Sequence, residues 1–262
     1  MTAGPISSGR RRGPGPRSGG PHGRADMHIH SLYSDGTASV RAILDHVEHT
    51  TDLDVVAITD HERIDGALRG AEIHAAGDYS FDFVVGEEIT TRRGHVLALF
   101  VTERVPALRP LDETLAAIHA QGGIAIAAHP MAPVPPSVGR RSLRQVRDHE
   151  HEHVHFDALE LFNPSQAGRM RGEARLALNA AELGLPGVGN SDAHVLEGIG
   201  TGWTSFPGHT AEDFRGAIVD GTVTAEGSHW STSHNVDVYR RQLHAKLRHL
   251  WHTLKPGHDD WR

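Results

Sequence analysis

Short apolar runs alternate along the chain with segments whose apolar residues recur at helical spacing. Val55–Ile58 and Ile124–Ala128 have the length and composition of buried strands, and the apolar positions of residues 40–47 follow the period of an amphipathic helix. Strands are predicted near residues 25–31, 55–61, 83–90, 95–100, 124–129, 158–162, 187–190 and 201–206, and helices near residues 40–47, 64–76, 111–121 and 171–183. This alternation predicts an α/β fold with a mainly parallel sheet.

One turn modifies this pattern. Thr91–Gly94 separates two apolar runs by a short polar segment, so those two strands are expected to form a hairpin. The chain has neither a glycine-rich dinucleotide motif nor a Walker lysine, which disfavours an open nucleotide-binding sheet. A mass of 28.4 kDa suits one barrel. We therefore predict a distorted (β/α)7 barrel of the TIM type.

Composition divides the chain into three parts: residues 1–24, 25–227 and 228–262. The first part holds seven Gly, four Pro and five Arg with no acidic residue, and we expect a disordered tail. It lacks the apolar stretch of an export signal, so a cytoplasmic protein is expected. The last part carries an apolar stripe at helical spacing, opposite a basic face. It is predicted to be an amphipathic helix that packs on the barrel or joins two copies as a homo-oligomer. Binding of its basic face to an anionic membrane or to nucleic acid is the alternative.

Charge and cysteine content exclude several classes of site. The formal charge of −7 becomes −12 without residues 1–24, because that part contributes five Arg and no acid. Such an acidic barrel is a poor groove for nucleic acid, so no stable nucleic-acid complex is expected. No apolar run approaches the roughly 20 residues of a membrane span. Since the chain has no Cys, any metal site must use imidazole and carboxylate.

Histidines and carboxylates stand where the predicted strands end. His28 and His30 are two residues apart, so an extended chain projects both imidazoles to one face. His61 and His129 each end an apolar run, and Asp192 opens the polar segment after another. Metal-type ligands at the carboxyl ends of successive buried strands are typical of a barrel-like α/β metallohydrolase.

The chain resembles the polymerase-and-histidinol-phosphatase (PHP) superfamily of metal-dependent phosphoesterases. The segments that carry the resemblance span most of residues 25–227: DMHIHSLYSDG (26–36), ITDH (58–61), GEEIT (86–90), AHP (128–130), ELFN (160–163) and NSDAH (190–194). The resemblance implies a distorted seven-stranded barrel with two or three divalent metal ions at the carboxyl ends of its strands.

The resemblance also implies nine metal ligands: His28, His30, Asp35, His61, Glu88, His95, His129, Asp192 and His194. Glu88 is expected to bridge two metals, whereas the adjacent Glu87 points to the opposite face of the strand. Asp35 has a second interpretation as a turn residue or hydrogen-bond partner of a ligand. His95 could also be an ordinary strand residue.

The ligand types favour Zn, Mn or Fe over Ca or Mg, because imidazole suits the transition metals. Three divalent ions, three carboxylates and a bridging hydroxide would leave two net positive charges, which match a phosphomonoester dianion. The predicted reaction is hydrolysis of a small phosphate ester, such as a nucleotide, short oligonucleotide or sugar phosphate, by metal-bound hydroxide. No separate nucleophile is evident.

Substrate contacts are less sharply indicated. The predicted candidates are Arg92, Arg93, Arg140, Arg141, Glu160 and Asn163. The arginines are alternatively solvated loop charges, and the last two residues alternatively make strand-end hydrogen bonds. The proline-rich start of residues 131–156 excludes a regular element there. Residues 143–146 could form one helical turn, and the segment is a natural lid.

Two other functions stay open at this point. A carbamate or carboxylic ester hydrolase, like the carbaryl-hydrolase-like members of the superfamily, could use the same ligands. A non-catalytic, metal-stabilised accessory module is the third interpretation, although a complete ligand set argues against it.

One histidine-rich segment lies outside every family motif. Four histidines alternate with other residues, so an extended chain would align them on one face and could capture an adventitious metal. A solvated loop is the other interpretation, and neither places the segment in the active site. The four residues are His149, His151, His153 and His155.

Overall fold

The described residues form one strongly curved sheet with helices packed around it. The computed structural model describes residues 17, 19–133, 136–231, 238, 240 and 241. Nine strands occur in this part of the chain: β1 (His22–Asp26), β2 (Val55–Ile58), β3 (Asp82–Thr91), β4 (Gly94–Leu99), β5 (Ile124–Ala127), β6 (Ala158–Phe162), β7 (Gly187–Gly189), β8 (Gly202–Pro207) and β9 (Thr224–Gly227).

Seven helices connect or cover these strands within the same residues. They are α1 (Val40–Thr50), α2 (Asp65–Ala76), α3 (Leu111–Ala120), α4 (Arg140–Arg147), α5 (Gln166–Arg169), α6 (Gly172–Leu178) and α7 (Ala211–Val219). A π-helical turn, Asn179–Leu183, extends α6, and a 3-10 turn covers Leu196–Gly198. The predicted helices at 40–47, 64–76, 111–121 and 171–183 are therefore present.

The sheet nearly closes into a barrel. Its strand order is β7-β6-β5-β4-β3-β2-β1-β8-β9. The two ends of this order meet, because Gly189 of β7 exchanges hydrogen bonds with the Thr204 hydroxyl of β8 at 3.1 and 2.9 Å. A side chain at Gly189 would also overlap the backbone of Glu226 in β9. The predicted α/β barrel is confirmed.

Strand directions differ from a uniform (β/α)7 barrel. The predicted hairpin is confirmed, since β3 and β4 are antiparallel and Glu88 lies opposite Leu97. The β4–β5, β1–β8 and β8–β9 pairs are antiparallel as well. The sequence analysis had no strand at Thr224–Gly227, because its TAEG sequence lacks an apolar run.

The chain joins the barrel earlier than composition indicated. β1 begins at His22, and its His22–Ala25 stretch pairs with β8, so these residues belong to the sheet rather than to the tail. The Arg17 guanidinium donates to the carbonyls of Val47 and Thr51 at the end of α1, at 2.7 Å each. The expected disorder of the first part falls mainly on residues 1–16, which lie outside the described residues.

The barrel interior is apolar at one end and polar at the other. Met27, Leu97 and Ile126 are buried in one core cluster, and Phe214 of α7 packs into the same cluster. Because alternate strand residues share a face, Leu97 and His95 point the same way along β4. The inward-facing residues therefore change from apolar to metal-ligand types toward the carboxyl ends of the parallel strands.

The C-terminal extension is described only in part. Trp230 donates from its indole to Thr201 at 2.8 Å, and Val238 is buried. Most of the predicted helix, residues 239–254, lies outside the described residues. None of the helices in the described ranges is long and apolar enough to cross a membrane.

Candidate metal centre

Backbone hydrogen bonds between the segments at the carboxyl ends of the strands assemble the centre. Beyond β1 the chain stays extended through His28 and His30, because Ala193 bonds to the His28 carbonyl at 3.2 Å and to the His30 amide at 2.9 Å. His61 follows β2 and bridges to Glu88 of β3. The two imidazoles of the His-x-His pair thus face the same space, as the spacing predicts.

Glu88 lies at the middle of the histidines. Its Oε2 is 3.1 Å from His28 Nε2 and 3.2 Å from His61 Nδ1. Its Oε1 is 2.8 Å from His95 Nδ1 and 3.2 Å from His129 Nε2. Oε2 is also 3.3 Å from His30 Nε2. Since the two oxygens face different sets of imidazoles, the geometry is compatible with the prediction that this carboxylate bridges two cations.

Two aspartates flank this arrangement. Asp192 Oδ1 is 3.3 Å from Nε2 of both His28 and His30. Asp35 Oδ1 is 3.1 Å from His194 Nε2 and 3.8 Å from His61 Nε2. The loop that carries Asp35 therefore brings its carboxylate to the far side of the histidine cluster.

The predicted ligands fall into four groups that share members. Within each group, one ligand atom from every residue lies within 4.8 Å of those of the others. These groups are His30-Asp35-His61-His194, His28-His30-Glu88, His28-His129-Asp192 and His61-Glu88-His95. Together they contain all nine residues that the sequence analysis selected. The structure brings the whole set into one buried cluster, and direct ligation by each member remains a prediction.

The donor set fits cations. Both ring nitrogens of His30 and Nδ1 of His61 are buried and make no well-aligned hydrogen bond among the described residues, although carboxylate oxygens lie 3.2–3.9 Å from them. Leaving buried polar nitrogens unsatisfied costs free energy, so such atoms indicate an intended ligand. Imidazole nitrogens converging with carboxylate oxygens suit Zn, Mn or Fe.

The buried charges of the cluster shift the pKa values of its members in different directions. Burial by itself raises the pKa of Glu88, but His61, His28 and His95 together hold that pKa well below its usual value. Burial lowers the pKa of His61 to about 3, which leaves this imidazole neutral. Burial also lowers the pKa of His30, but Asp192 and Glu88 outweigh it and raise that pKa to about 10, so without a metal this imidazole carries a proton that ligation would displace.

Glu87 and Glu88 point to opposite faces, as predicted. Glu87 Oε2 accepts a hydrogen bond from the Val105 amide at 3.0 Å, and Oε1 is 3.8 Å from the Arg104 guanidinium. Burial raises the pKa of Glu87 to about 7. Glu87 is outside the metal cluster.

Glu160 supports the ligands from behind. It is completely buried, and its Oε1 is 3.0 Å from His28 Nδ1. Its Oε2 accepts from the His129 amide at 2.7 Å and from Asn163 at 3.2 Å. Because both oxygens already have protein partners, the structure favours the alternative interpretation, a strand-end hydrogen-bonding residue, and contact of Glu160 with a substrate remains a prediction.

Two further buried aspartates were missed by the sequence analysis. Asp60 accepts hydrogen bonds from the amide and hydroxyl of Ser31, at 2.7 and 2.6 Å, and so holds the loop that ends in Asp35. Asp26 accepts from the amides of Ser191 and Gly200, at 3.0 and 2.9 Å. Their positions in the sequence could have indicated them: Asp60 directly precedes the predicted ligand His61, and Asp26 stands two residues before His28.

Backbone strain is concentrated in the same place. His129 and Asp192 have φ values of 31° and 53°, in the left-handed region that residues with a Cβ rarely adopt. Ser137 Oγ lies 3.0 Å from His129 Nδ1 and orients its ring. Strained backbone that neighbouring contacts hold in place is typical of functional sites.

The predicted arginine contacts lie toward the outside. Arg92 donates from Nε to the Leu108 carbonyl at 3.0 Å and lines a cavity of about 510 Å³ together with Arg93. Arg140 and Arg141 are exposed in the first turn of α4, which runs over Arg140–Arg147 rather than the single turn expected. Contact of these four side chains with a substrate remains a prediction.

A cavity of about 490 Å³ adjoins Asn163. Asn163 donates to Asp192 Oδ2 at 3.2 Å, which connects the cavity wall to the metal cluster. Arg169, Arg171 and His229 also line this cavity, and the two arginines are exposed. The sequence analysis did not select these three residues, because no motif marks them.

Comparisons with known proteins point to one superfamily. The family described as PHP-associated matches residues 175–223. An uncharacterized protein from Methanocaldococcus jannaschii is 32% identical over 151 residues, which cover 53% of this chain and 81% of that protein.

Solved structures share the fold. A two-domain protein from Bacteroides vulgatus that contains a predicted PHP-like metal-dependent phosphoesterase has a TM-score of 0.62 and 16% identity, over 86% of this chain and 70% of that chain. An amidohydrolase from Chromobacterium violaceum with bound sulfate and no metal has a TM-score of 0.53 and 16% identity, over 77% and 97%. At these identities the likeness shows the fold alone.

Proposed function

Because this chain belongs to the PHP superfamily, we propose that it is a metal-dependent phosphoesterase that hydrolyses a small phosphate ester. The observation that carries the proposal is the buried cluster of nine predicted ligands around Glu88. A complete cluster argues against the non-catalytic accessory module, which has no need for every ligand. Two or three ions of Zn, Mn or Fe are the proposed cofactors.

The residues divide the work between holding cations and orienting one another. When bound, divalent ions would lower the pKa of water and neutralise the charge of the phosphate. Glu88 would bridge neighbouring ions through its two oxygens, and Glu160 keeps the Nε2 atom of His28 directed at the cluster. Ser137 does the same for the ring of His129. Glu88, His28 and His129 are almost completely buried, which limits their contact with bulk water.

The cavity beside Asn163 is proposed to receive the leaving group of the ester. It adjoins Asp192 through Asn163, and Arg169 and Arg171 add positive charge to its wall. Arginine pairs well with phosphate and other anionic groups. A small phosphorylated molecule is therefore the proposed substrate, with no stable nucleic-acid complex. The cytoplasmic location and the homo-oligomer also remain proposals.

The deciding experiment combines metal removal with a substrate panel. Chelator-treated protein should lose hydrolysis of nucleotide and sugar-phosphate substrates and recover it with Mn²⁺, Zn²⁺ or Fe²⁺. His129→Ala should lose both metal and activity, with circular dichroism as the control for folding. Full turnover by metal-free protein would disprove the proposal.

A second candidate function is metal-dependent hydrolysis of a carbamate or carboxylic ester, and the fold shared with an amidohydrolase is compatible with it. The two reactions are separated by adding carbamate, amide and carboxylic ester substrates to the same panel. Turnover of these neutral substrates without phosphate release would favour the second candidate.

The location of the substrate can be tested with two arginine pairs. Charged hydrogen bonds contribute about 1.5–3 kcal/mol, so losing Arg169 and Arg171 to Ala should raise KM about tenfold or more. Arg140→Ala with Arg141→Ala is the matched control on α4. If KM rises only in the control pair, at constant metal content, the substrate binds near Arg140 and Arg141, as the sequence predicts, and not in the cavity beside Asn163.

A further inference from the structure

A second group of possible ligands lies at the opposite end of the barrel. His119 is in the last turn of α3, and His155 and Asp157 immediately precede β6. Asp157 exchanges backbone and side-chain hydrogen bonds with Ala125 at the beginning of β5, at 2.9 and 2.7 Å. The group is therefore at the amino ends of β5 and β6, whereas His129 follows the carboxyl end of β5.

The three side chains converge on one point. His119 Nε2 is 3.0 Å from Asp157 Oδ2, and His155 Nε2 is 3.4 Å from Asp157 Oδ1. The two imidazole rings are stacked with centroids 4.3 Å apart. One ligand atom from each residue lies within 4.8 Å of the other two.

Hydrogen bonds on the far side of each ring determine which nitrogen faces the carboxylate. His119 Nδ1 is 2.8 Å from the His153 carbonyl, and His155 Nδ1 is 2.7 Å from the Glu152 carbonyl. A carbonyl only accepts, so each Nδ1 carries a proton and donates it. In metal sites, ligand histidines are oriented in the same way by a backbone carbonyl or carboxylate on the other ring nitrogen.

The surroundings allow an ion to enter. The His155 side chain is half exposed, while those of His119 and Asp157 are 8% and 23% exposed. One carboxylate here serves two imidazoles that both direct Nε2 toward it. Without a metal, each imidazole can pair with its own carboxylate oxygen through a proton on Nε2, whereas one divalent cation would bind all three groups together.

We propose that His119, His155 and Asp157 bind a transition-metal ion of the Zn²⁺ class, separately from the catalytic cluster. Two imidazoles and one carboxylate are a common zinc ligand set, with water in the fourth position. The ion would fasten the histidine-rich segment 148–157 to the end of α3. Because it lies at the amino ends of the strands, its proposed effect is on stability rather than on catalysis.

The test uses the untagged full chain with its catalytic metals in place. Zn²⁺ is added to the wild type, His155→Gln and a matched control, His149→Gln, which removes an exposed imidazole from the same segment. After dialysis, His155→Gln should retain about one ion fewer per chain, and the rise in Tm that bound Zn²⁺ produces in the wild type should be lost. His149→Gln should behave like the wild type.

Two further variants separate this site from the catalytic one. His119→Gln should repeat the loss seen for His155→Gln, with kcat unchanged in both. His129→Ala should lose activity and keep the Zn²⁺-dependent rise in Tm. Equal zinc content and equal Tm response in the wild type and His155→Gln would overturn the proposal, as would an equal loss in His149→Gln, which would indicate unspecific binding by the segment.

Discussion

At the residue scale, the centre depends on side chains that need not touch a metal. Glu160 contacts His28 and the His129 amide, so one buried carboxylate orients ligands from two distant segments. Asp60 accepts a hydrogen bond from the Ser31 amide and so holds the loop that carries Asp35. Asp26 accepts one from the Ser191 amide, next to Asp192. Partners of this kind commonly contribute as much to metal affinity as a weak ligand does.

Glu160→Gln is therefore expected to weaken metal binding by about 10- to 100-fold. The amide keeps the shape of the side chain but removes the negative charge that orients the His28 ring and makes it a better ligand. Competition with a fluorescent chelator measures the affinity, and Glu103→Gln on the exposed surface is the control. Unchanged affinity in Glu160→Gln would show that the carboxylate has only a packing role.

Glu87 gives a prediction about pH at the same scale. The pKa of Glu87 is about 7 in the folded protein, compared with an ordinary value of 4.5 that applies to the unfolded chain, so the folded state binds the proton more tightly. Its contribution to stability is consequently full below pH 4.5 and is lost as the pH rises through 7.

Glu87→Gln should reduce the fall in unfolding free energy between pH 5 and 8, relative to the wild type. Urea unfolding at each pH measures this difference, and Glu103→Gln should leave the profile of the wild type unchanged. Parallel pH profiles for the wild type and Glu87→Gln would contradict the assignment.

At the scale of elements, the β3–β4 hairpin and the segment after β5 shape the centre together. Gly94 has φ +131°, and a Cβ there would overlap the backbone of Ser137 and Val138. This close approach holds Ser137 against the His129 ring. The hairpin thus carries two of the predicted ligands, Glu88 and His95, and positions a third, His129, through the neighbouring segment.

Gly94→Ala should destabilise the protein by more than about 1 kcal/mol and weaken metal binding, because Ser137 must move away. Gly122→Ala is the matched control: Gly122 also has a positive φ, +71°, but open space around its Cβ position. Urea unfolding and chelator competition measure the two effects. An equal loss in both variants would mean that φ alone, and not the contact with residues 137–138, is responsible.

At the scale of the whole molecule, the barrel separates stability from chemistry. Apolar residues and α7 fill one end of the interior, and the ligand cluster fills the other. Beyond β9 the chain returns to the rim, where the Trp230 amide donates to the Pro164 carbonyl at 3.2 Å. The C-terminal segment therefore contributes to the folded barrel even though its predicted helix is mostly outside the described residues.

Truncation after Ser228 should lower the Tm, because it removes the partly buried Trp230 and its hydrogen bond to Thr201 at 2.8 Å. It also removes His229 from the cavity beside Asn163, so KM should rise while metal content stays constant. Truncation after Ser231 keeps both residues and is the control. Equal Tm and KM values for the two shortened proteins would show that Trp230 and His229 contribute neither effect.

The amino-acid sequence by itself determined the barrel class and the nine candidate ligands. The barrel class follows from local information, because buried strands are apolar runs and residues such as His129 stand out where such runs end. The full set of nine ligands is what the resemblance to the PHP superfamily implies. The spacing of His28 and His30, and the opposite faces of Glu87 and Glu88, follow from the two-residue period of an extended chain.

Only the tertiary structure decided how these parts meet. The antiparallel pairing of β8 and the existence of β9 depend on backbone hydrogen bonds between strands far apart in the chain. The supporting role of Glu160, the cavity beside Asn163 and the convergence of His119 with Asp157 depend on side chains from distant segments. The sequence shows that a carboxylate is present, but its partners depend on packing. Packing brings together segments that are far apart in the chain, such as His28 and Glu160, which are separated by 132 positions.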